Sequence, residues 1–301
     1  MKRGILYGIA AYTLWGLFPL YWRFLSPIPA TEILCHRVVW SFLFLGIILV
    51  RKNRLKSWLH KSRKSVTILY FFLTACLLSL NWGIFIWAVN SNYVVEASLG
   101  YFINPLVNVL LGVIFLGERP RFLQWFAIGI AAAAVLFLTF GYGSFPWIAL
   151  TLAFSFGLYA LLRKIGALSS LEGLSLEMTL LFVPALAYLL YCQHAGTAAF
   201  GHVSAIKTLL LALTGIVTAV PLLLFGSAAR RISLTNVGLL QYISPTFQFL
   251  IGVIVFGEAL TSARLAGFVA VWISLALYTF ESLRTNAPIP ELETYKETCR
   301  T

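Results

Sequence analysis

The chain has 301 residues, of which 60% are hydrophobic and only 11% are charged. This composition excludes an ordinary soluble domain, in which about a quarter of the residues are charged. Apolar runs of about 20 residues recur along the sequence, long enough to cross a bilayer as helices and too long for the strands of an outer-membrane barrel. The sequence therefore predicts an all-α polytopic membrane protein.

The apolar runs predict ten transmembrane helices, numbered one to ten in chain order. Most connections between them are short, and two are longer: a basic loop around 51–65 and a loop around 192–206. A polar tail follows the tenth span. The predicted spans are 4–24, 30–50, 66–89, 93–117, 122–140, 146–163, 173–191, 207–228, 233–256 and 262–282.

The net charge of +12 is distributed unevenly between the two sides of these spans. When the connections are assigned alternately to the two sides, most of the 22 basic residues fall on the side that carries both termini. This bias predicts cytoplasmic termini. Because the charge is grouped at span ends, we expect the lipid bilayer as surroundings and no nucleic-acid partner.

A repeat relates the two halves of the chain. Pro105 leads to the segment 111–118 (LGVIFLGE), and Pro245, 140 residues later, leads to 251–258 (IGVIVFGE). Matched Pro, Gly and Glu residues favour a true repeat over a coincidence between two apolar segments. Ten spans in two copies give five spans per copy. Because five is an odd number, the second copy starts on the opposite side of the membrane and is inverted relative to the first. We expect a first repeat over 1–145, an inverted second repeat over 146–283 and a cytoplasmic tail over 284–301.

Each repeat carries a stripe of polar residues on one helical face. Polar side chains in hydrocarbon are costly unless they have partners, so both stripes should face protein or a water-filled cavity. The proline in each stripe removes a backbone hydrogen bond and can expose a carbonyl oxygen. We favour a solute cavity, and hydrogen bonding between neighbouring helices is the alternative. The stripes consist of Tyr101, Asn104, Pro105 and Asn108 in span four and Gln241, Ser244, Pro245 and Gln248 in span nine.

Aromatic residues are concentrated in the spans around these stripes. A cavity with amides and aromatic faces suits an uncharged, zwitterionic or aromatic small molecule. An interfacial aromatic belt is the alternative explanation for Tyr12, Trp15 and Trp82. The full set of candidates for solute contact is Tyr12, Trp15, Asn81, Trp82, Tyr101, Asn104, Asn108, Tyr159, Gln241, Tyr242 and Gln248.

Charged residues at membrane depth are few, because the chain contains no Asp. Span two begins with Glu32, His36 and Arg37, and the arginine lies about 10 Å along the helix. An unpaired Arg at this depth would cost about 3 kcal/mol, so we expect a carboxylate partner, either Glu32 or Glu96. A structural ion pair is one interpretation of these four residues, and a gating or coupling role is the other. We expect Glu177, near the start of span seven, to be solvated.

No motif typical of catalysis, metal binding or nucleotide binding occurs in the sequence. The four His residues lie on different segments, and HExxH, GxSxG and Walker A patterns are missing. We therefore expect no enzyme activity, no cofactor, no metal and no ATPase subunit. Small residues one turn apart favour packing within the bundle, with a subunit interface as the alternative, so we expect a monomer or a weak homodimer. These pairs are Ala127 and Ala131, Gly129 and Ala133, and Ala266 and Ala270.

Several stretches of the sequence resemble the RarD branch of the EamA family, within the drug/metabolite transporter superfamily. Together they cover both repeats, and as a set they are specific. The resemblance implies ten helices in two inverted repeats, an inner-membrane location and a permease that exports drugs or metabolites. One position departs from the family pattern, because Ser244 stands where Gly is common. The matching stretches are 30–41 (ATEILCHRVVWS), 81–90 (NWGIFIWAVN), 96–108 (EASLGYFINPLVN), Gly117-Glu118-Arg119, 152–164 (LAFSFGLYALLRK), 215–224 (GIVTAVPLLL) and 241–246 (QYISPT).

These observations predict a secondary-active permease that moves a small organic metabolite or drug by alternating access, as an exporter. An importer or exchanger of amino acids or related metabolites is the alternative within transport. A membrane-bound enzyme or scaffold is the alternative from another class, and the missing catalytic motifs argue against it.

Overall fold

The computed structural model of the chain describes residues 2–91, 93–140, 145–255, 257 and 262–284, and the side chains of a few helical residues, Glu96 among them, lie outside this description. The described residues form twelve α-helices and no β-strand. The helices are α1 (Lys2–Leu25), α2 (Ala30–Arg51), α3 (Leu55–Ser62), α4 (Ser65–Asn90), α5 (Val94–Leu116), α6 (Phe122–Phe140), α7 (Trp147–Ile165), α8 (Ser170–His194), α9 (Ala205–Ala229), α10 (Leu234–Leu240), α11 (Ile243–Ile254) and α12 (Ser262–Arg284).

Most of these helices are suited to a lipid environment. Within the described residues, eight segments are long and apolar enough to cross a membrane. Seven lie in α1, α2, α4, α5, α7, α8 and α9, and the eighth, Leu234–Ile254, contains both α10 and α11. Two shorter apolar stretches lie in α6 and α12. The prediction of an all-α, multi-pass membrane protein is thereby confirmed.

A short helix, α3, occupies the region that the sequence suggested to be a basic loop. Trp58 on this helix is buried, and its Nε1 donates to the Glu172 carbonyl at 2.9 Å. Lys61 Nζ pairs with Glu172 Oε1 at 2.9 Å. These contacts hold α3 against the start of α8, so α3 covers the end of the bundle at which α8 begins.

The ninth predicted span is broken in the middle of its polar stripe. α10 ends and α11 begins on either side of Gln241 and Tyr242. The Gln241 carbonyl accepts from the Ser244 N–H at 3.1 Å, in a tight turn just before Pro245, which has no N–H to donate to that carbonyl. The matched Pro105 leaves α5 continuous. The two stripes therefore have different backbones although their sequences correspond.

The Gly-Glu pair after α5 secures the start of α10. Gly117 has a left-handed backbone (φ 62°), which glycine adopts without strain, and it ends α5. The Glu118 carboxylate then accepts from Thr235 N at 2.9 Å and Thr235 Oγ1 at 2.7 Å, and also from Leu234 N. It thus satisfies free N–H groups at the positive end of a helix. Glu258, the counterpart of Glu118 in the repeat, lies outside the described residues.

The packing of the helices recurs between the two halves of the chain. α1 packs against α9 and α11, and α7 packs in the corresponding way against α4 and α5. A Cβ added to Gly16 in α1 would lie 2.5 Å from Phe247, and one added to Gly157 in α7 would lie 2.7 Å from Val107. Gly16 and Gly157 are 141 residues apart, and Val107 and Phe247 are 140 apart. The same close contact therefore occurs twice, between matched positions.

The two ends of the bundle differ, because α3 covers one of them and a cavity lies in the half at the other. At the end that contains the N-terminus, α3 and the start of α8, the buried side chains of Leu49, Trp58, Phe71 and Leu176 pack together. At the opposite end, the bundle contains a cavity. We call the end that α3 covers the closed end and the half of the bundle that contains the cavity the open end.

Candidate functional site

A cavity of about 240 Å³ lies in the half of the bundle opposite the N-terminus. Its walls come from the later parts of α1 and α4, the first halves of α2, α5 and α7, and the break between α10 and α11. Since helices joined by short loops alternate in direction, these segments meet at one end. Ten residues named from the sequence line the cavity: Tyr12, Trp15, Arg37, Asn81, Trp82, Tyr101, Asn104, Gln241, Ser244 and Gln248.

A chain of amides crosses the contact between α5 and α10 at this cavity. Asn108 Nδ2 donates to Asn104 Oδ1 at 3.0 Å and to Gln241 Oε1 at 3.2 Å. Asn104 Nδ2 donates to the Ala153 carbonyl in α7 at 2.9 Å. Asn104 is thus used by the protein itself, whereas Gln241 Nε2 makes no hydrogen bond with the described residues. The polar stripes therefore do both things that the sequence suggested as alternatives: they form hydrogen bonds between helices, and they line a cavity.

Two further amides have their NH₂ groups fixed and their oxygens available. Asn81 Nδ2 donates to the Leu152 carbonyl at 2.9 Å and to Ser155 Oγ at 3.0 Å. Gln248 Nε2 donates to the Trp15 carbonyl at 3.3 Å. The cavity wall therefore offers acceptors on α4 and α11 as well as the donor of Gln241.

Aromatic rings surround the inner part of the cavity. The ring of Trp15 lies 5.5 Å from Tyr12, 5.9 Å from Phe156 and 5.6 Å from Phe225, measured between centroids. Tyr159 stacks on Phe225 at 6.1 Å, farther from the cavity. Rings packed in this way provide a rigid apolar surface that suits a planar or apolar part of a solute.

Three residues predicted to contact solute do not line the cavity. Asn108 is buried within the chain of amides. Tyr159 donates its hydroxyl to Glu177 Oε2 at 3.1 Å, and Tyr242 donates to the Phe102 carbonyl at 3.2 Å. These three side chains are engaged in contacts between helices.

Several aromatic residues in the cavity wall were not predicted from the sequence. A signal existed for one of them, because the repeat matches Phe156-Gly157 to Trp15-Gly16. The others follow only from the folding of their helices around the same space. The missed residues include Phe18, Trp22, Phe85 and Phe156.

Arg37 is the charged residue among the described residues that line the cavity. Its guanidinium carbon lies 4.5 Å from the centroid of the Trp82 ring and 5.2 Å from that of Trp22, and Nε donates to Thr218 Oγ1 at 2.9 Å. Aromatic faces attract the cation and so compensate part of its burial. Among the described side chains, no carboxylate forms an ion pair with Arg37.

The expected pairing of Arg37 with Glu32 is wrong, because Glu32 is engaged elsewhere. Glu32 Oε1 accepts from the backbone N–H of Ala199 at 2.7 Å and lies 3.8 Å from His36 Nε2. The His36 ring stacks on Phe200 at 5.0 Å. Glu32 and His36 therefore hold the connection between α8 and α9 against α2. The alternative partner, the side chain of Glu96, lies outside the described residues.

A buried ion pair lies at the closed end of the bundle. Arg163 Nη1 and Glu177 Oε1 are 3.5 Å apart, and the two residues are 3% and 0% exposed. Thr74 Oγ1 donates to Glu177 Oε1 at 2.7 Å, and Arg163 Nη2 donates to the Ser170 carbonyl at 2.8 Å. The expectation that Glu177 is solvated is wrong, because α4 and α7 cover this part of α8.

Comparison with known proteins agrees with the membrane fold. The sequence pattern of the EamA-like transporter family matches residues 2–140. A protein named RarD from Streptomyces exfoliatus is 48% identical, over 94% of this chain and 90% of its own length. The chain belongs to the EamA-like transporter family. A Bacillus subtilis (strain 168) relative named uncharacterized transporter YojE is 47% identical, over 94% of this chain and 95% of its own.

The relatives settle the class of the protein. The matched family is a family of transporters, YojE is named a transporter, and the predicted resemblance to RarD-type permeases is confirmed. The chain is accordingly a membrane transporter and not an enzyme. A solved crystal structure with 17% sequence identity superposes with a TM-score of 0.71, covering 92% of this chain and 97% of the other, which shows that the two share a fold.

Proposed function

We propose that the protein is a secondary-active permease that moves a small organic metabolite or drug across the cell inner membrane by alternating access. The observation that carries this proposal is the one-sided cavity. Amides and aromatic rings from both halves of the chain meet in it, while α3 and the Arg163–Glu177 pair close the opposite end. A central solute site with one closed end is what one state of an alternating-access cycle requires.

The two halves of the chain are proposed to be inverted repeats of five membrane helices each. The corresponding packing of α1 and α7, and the matched contacts of Gly16 and Gly157, support this arrangement. Tyr242 and Phe102 are 140 residues apart and in contact, as expected for matched residues near a twofold axis. An exchange of the two arrangements would close the cavity and open the other end.

We place both termini in the cytoplasm and propose net transport outward. The basic segment that contains α3 lies at the same end as the N-terminus, which supports this orientation. The cavity then faces the outside of the cell. The outward direction is what the resemblance to RarD-type permeases implies.

The test is solute flux in liposomes that contain the purified full-length chain. The liposomes are loaded with a mixed metabolite extract, and the released solutes are identified by mass spectrometry. We expect at least one solute to leave protein-containing liposomes faster than empty ones. Gln248→Trp, which fills the cavity, should abolish this flux, while Leu250→Trp on the exposed side of α11 should preserve it.

Identical release from liposomes with and without the protein would contradict the proposal. So would full transport by the Gln248→Trp variant, because a filled cavity cannot be the solute pathway. Both tryptophan variants need the elution volume of the parent protein on size-exclusion chromatography.

A further inference from the structure

Several hydrogen-bond donors in the cavity are not used by the protein. Arg37 engages Thr218 through Nε, and its two Nη groups make no hydrogen bond or ion pair with the described residues. The Tyr101 hydroxyl and Gln241 Nε2 also line the cavity without a partner among those residues. Since arginine stays protonated in proteins, the cavity wall carries a permanent positive charge.

The buried Arg163 has an anionic partner, which Arg37 lacks among the described side chains. α8 begins at Ser170, 140 residues after α2 begins at Ala30, so Glu177 in α8 takes the place of Arg37 in α2. At the closed end, Glu177 has a cation, Arg163, 3.5 Å away. At the open end, Arg37 has aromatic faces and a hydroxyl, and no carboxylate among the described side chains. A buried cation is stabilised most by an anion, so the open end is complementary to one.

We propose that the transported solute carries an anionic group, a carboxylate, a phosphate or a sulfonate, and that Arg37 binds it. This inference rests on the proposed transport function and adds the class of substrate and the residue that selects it. The planar guanidinium presents parallel N–H groups that match the oxygen atoms of such anions. Trp22 and Trp82 lie against the guanidinium and restrict its rotation, so it is already oriented before solute binds.

The rest of the cavity fits an apolar body attached to that group. Trp15, Phe18 and Phe156 supply ring surfaces, while Gln241 and Tyr101 supply donors. The cavity volume of about 240 Å³ is smaller than that of pockets for drug-sized ligands, which is about 300–1,000 Å³. The cavity therefore has room for one small molecule. The site therefore fits a small aromatic or aliphatic acid.

The competing explanation is that Arg37 only joins α2 to α9 through Thr218. That role would give no preference between charged and neutral solutes. Isothermal titration calorimetry distinguishes the solute-binding role of Arg37 from this purely structural role. It measures the binding of a matched series of compounds to the purified full-length chain in detergent. The series is 3-phenylpropionate, 2-phenylethylphosphonate, the neutral 3-phenylpropanamide and the cationic 3-phenylpropylamine.

The parent protein should bind at least one of the two acids about tenfold or more tightly than the amide, and should not bind the amine, because a charge-assisted hydrogen bond is stronger than a neutral one. A preference for the carboxylate or for the phosphonate tells which anion the site takes. Arg37→Gln should remove the preference for acid over amide, and Arg37→Lys should keep part of it. Arg63→Gln, on the exposed surface after α3, is the matched control and should bind like the parent.

Thr218→Val separates the two roles of Arg37, because it removes the contact with α9 and keeps the charge. The preference for acids should persist in this variant. Equal affinity of the parent for acid and amide, no binding of any acid, or an undiminished preference in Arg37→Gln would each overturn the inference. Flux of a neutral metabolite without any preference for acids would contradict the inference of an anionic solute and leave the proposed transport function intact. Binding of acids without flux of any solute would contradict the transport function and leave the anion site intact.

Discussion

Arg163, which is buried, and Arg37, which is half-buried at the cavity, show two ways in which one bundle accommodates a cation. Arg163 lies at the closed end and is neutralised by Glu177, which in turn accepts from Thr74. Arg37 lies at the cavity and rests against two indole rings. The first arrangement neutralises the charge within the protein. The second leaves donors available, which is why the two residues should respond differently to substitution.

Glu177→Gln should lower the stability of the folded protein more than it affects solute affinity. The change leaves the 3% exposed Arg163 without its carboxylate, and breaking one side of a buried ion pair costs about 3 kcal/mol. Thermal unfolding in detergent measures the loss. Arg63→Gln is the control, since Arg63 lies on the exposed surface after α3, where a charged side chain contributes at most about 1 kcal/mol. Equal stability of the two variants would argue against a structural role for the buried pair.

Asn108→Ala and Gln241→Ala should separate packing from solute contact. Asn108 is fully buried and joins Asn104 to Gln241, so its removal should lower the unfolding temperature. Gln241 has a free NH₂ group at the cavity, so Gln241→Ala should weaken binding of a transported solute by about 1 kcal/mol, roughly fivefold. Calorimetry measures the solute affinity of both variants, and thermal unfolding measures their stability. A loss of stability without loss of affinity in Gln241→Ala would assign Gln241 to packing as well.

At the scale of the elements, matched sequences have produced matched contacts but not identical backbones. α5 runs through Pro105 unbroken, whereas the corresponding segment divides into α10 and α11 at Gln241. The start of α10 is fixed by Glu118, so movement at this break would be transmitted to the end of α5. The contacts of Gly16 and Gly157, in contrast, are nearly the same in both halves.

Gly16→Ala and Gly157→Ala should destabilise the protein to a similar extent. Each added Cβ would lie within 2.7 Å of a side chain on the facing helix, and overpacking of this kind typically costs about 1–3 kcal/mol. Gly83→Ala is the control, because nothing lies within 4 Å of an added Cβ there. Thermal unfolding of the three variants measures the effect. A large loss for one matched glycine and none for the other would be inconsistent with equivalent packing in the two halves.

At the scale of the whole molecule, the difference between the two ends of the bundle bears on the proposed orientation in the membrane. The buried contacts around α3 and the Arg163–Glu177 pair fill one end. The cavity and the half-buried Arg37 occupy the other. The basic residues are concentrated at the filled end, so the accessible side should face away from the cytoplasm.

Cysteine labelling in intact cells tests this orientation. Cys192 is only 6% exposed and so is a poor native reporter, which makes single cysteines in a variant without native cysteines preferable. His194→Cys should react with a membrane-impermeant thiol reagent added outside, and Lys56→Cys should react only after permeabilisation. Both positions are exposed at the two ends of the bundle. Labelling of Lys56→Cys in intact cells would reverse the topology.

Local patterns were sufficient to locate much of the candidate site. The spacing of Tyr101 and Asn104 on one helical face, and of Gln241 and Gln248 on its counterpart, follows from helical periodicity, and all four residues line the cavity. The pattern did not distinguish these residues from Asn108, which has the same polarity and lies on the same face. Depth within the bundle decides whether such a residue lines the cavity or is buried between helices, and depth depends on the neighbouring helices.

Partners of charged residues were the least predictable feature. Glu32 is close to Arg37 in sequence, yet its carboxylate accepts from Ala199, more than 160 residues away. Glu177 looked accessible from its place near a helix start, and it is buried against Thr74 and Arg163. Hydrogen-bond donors from distant segments determined both outcomes. Nothing in the local sequence specifies which distant donor arrives.

The sequence by itself determined the all-α membrane fold and the positions of most helices, because hydrophobicity over about 20 residues and helical periodicity are local properties. It also determined that the two halves correspond. Only the tertiary structure decided that Arg37 faces a cavity without a described carboxylate partner, and that Arg163 and Glu177 neutralise each other at the closed end. The physical reason is that the free energy of a buried charge depends on the groups that surround it in space, and in this bundle those groups come from helices far apart in the chain.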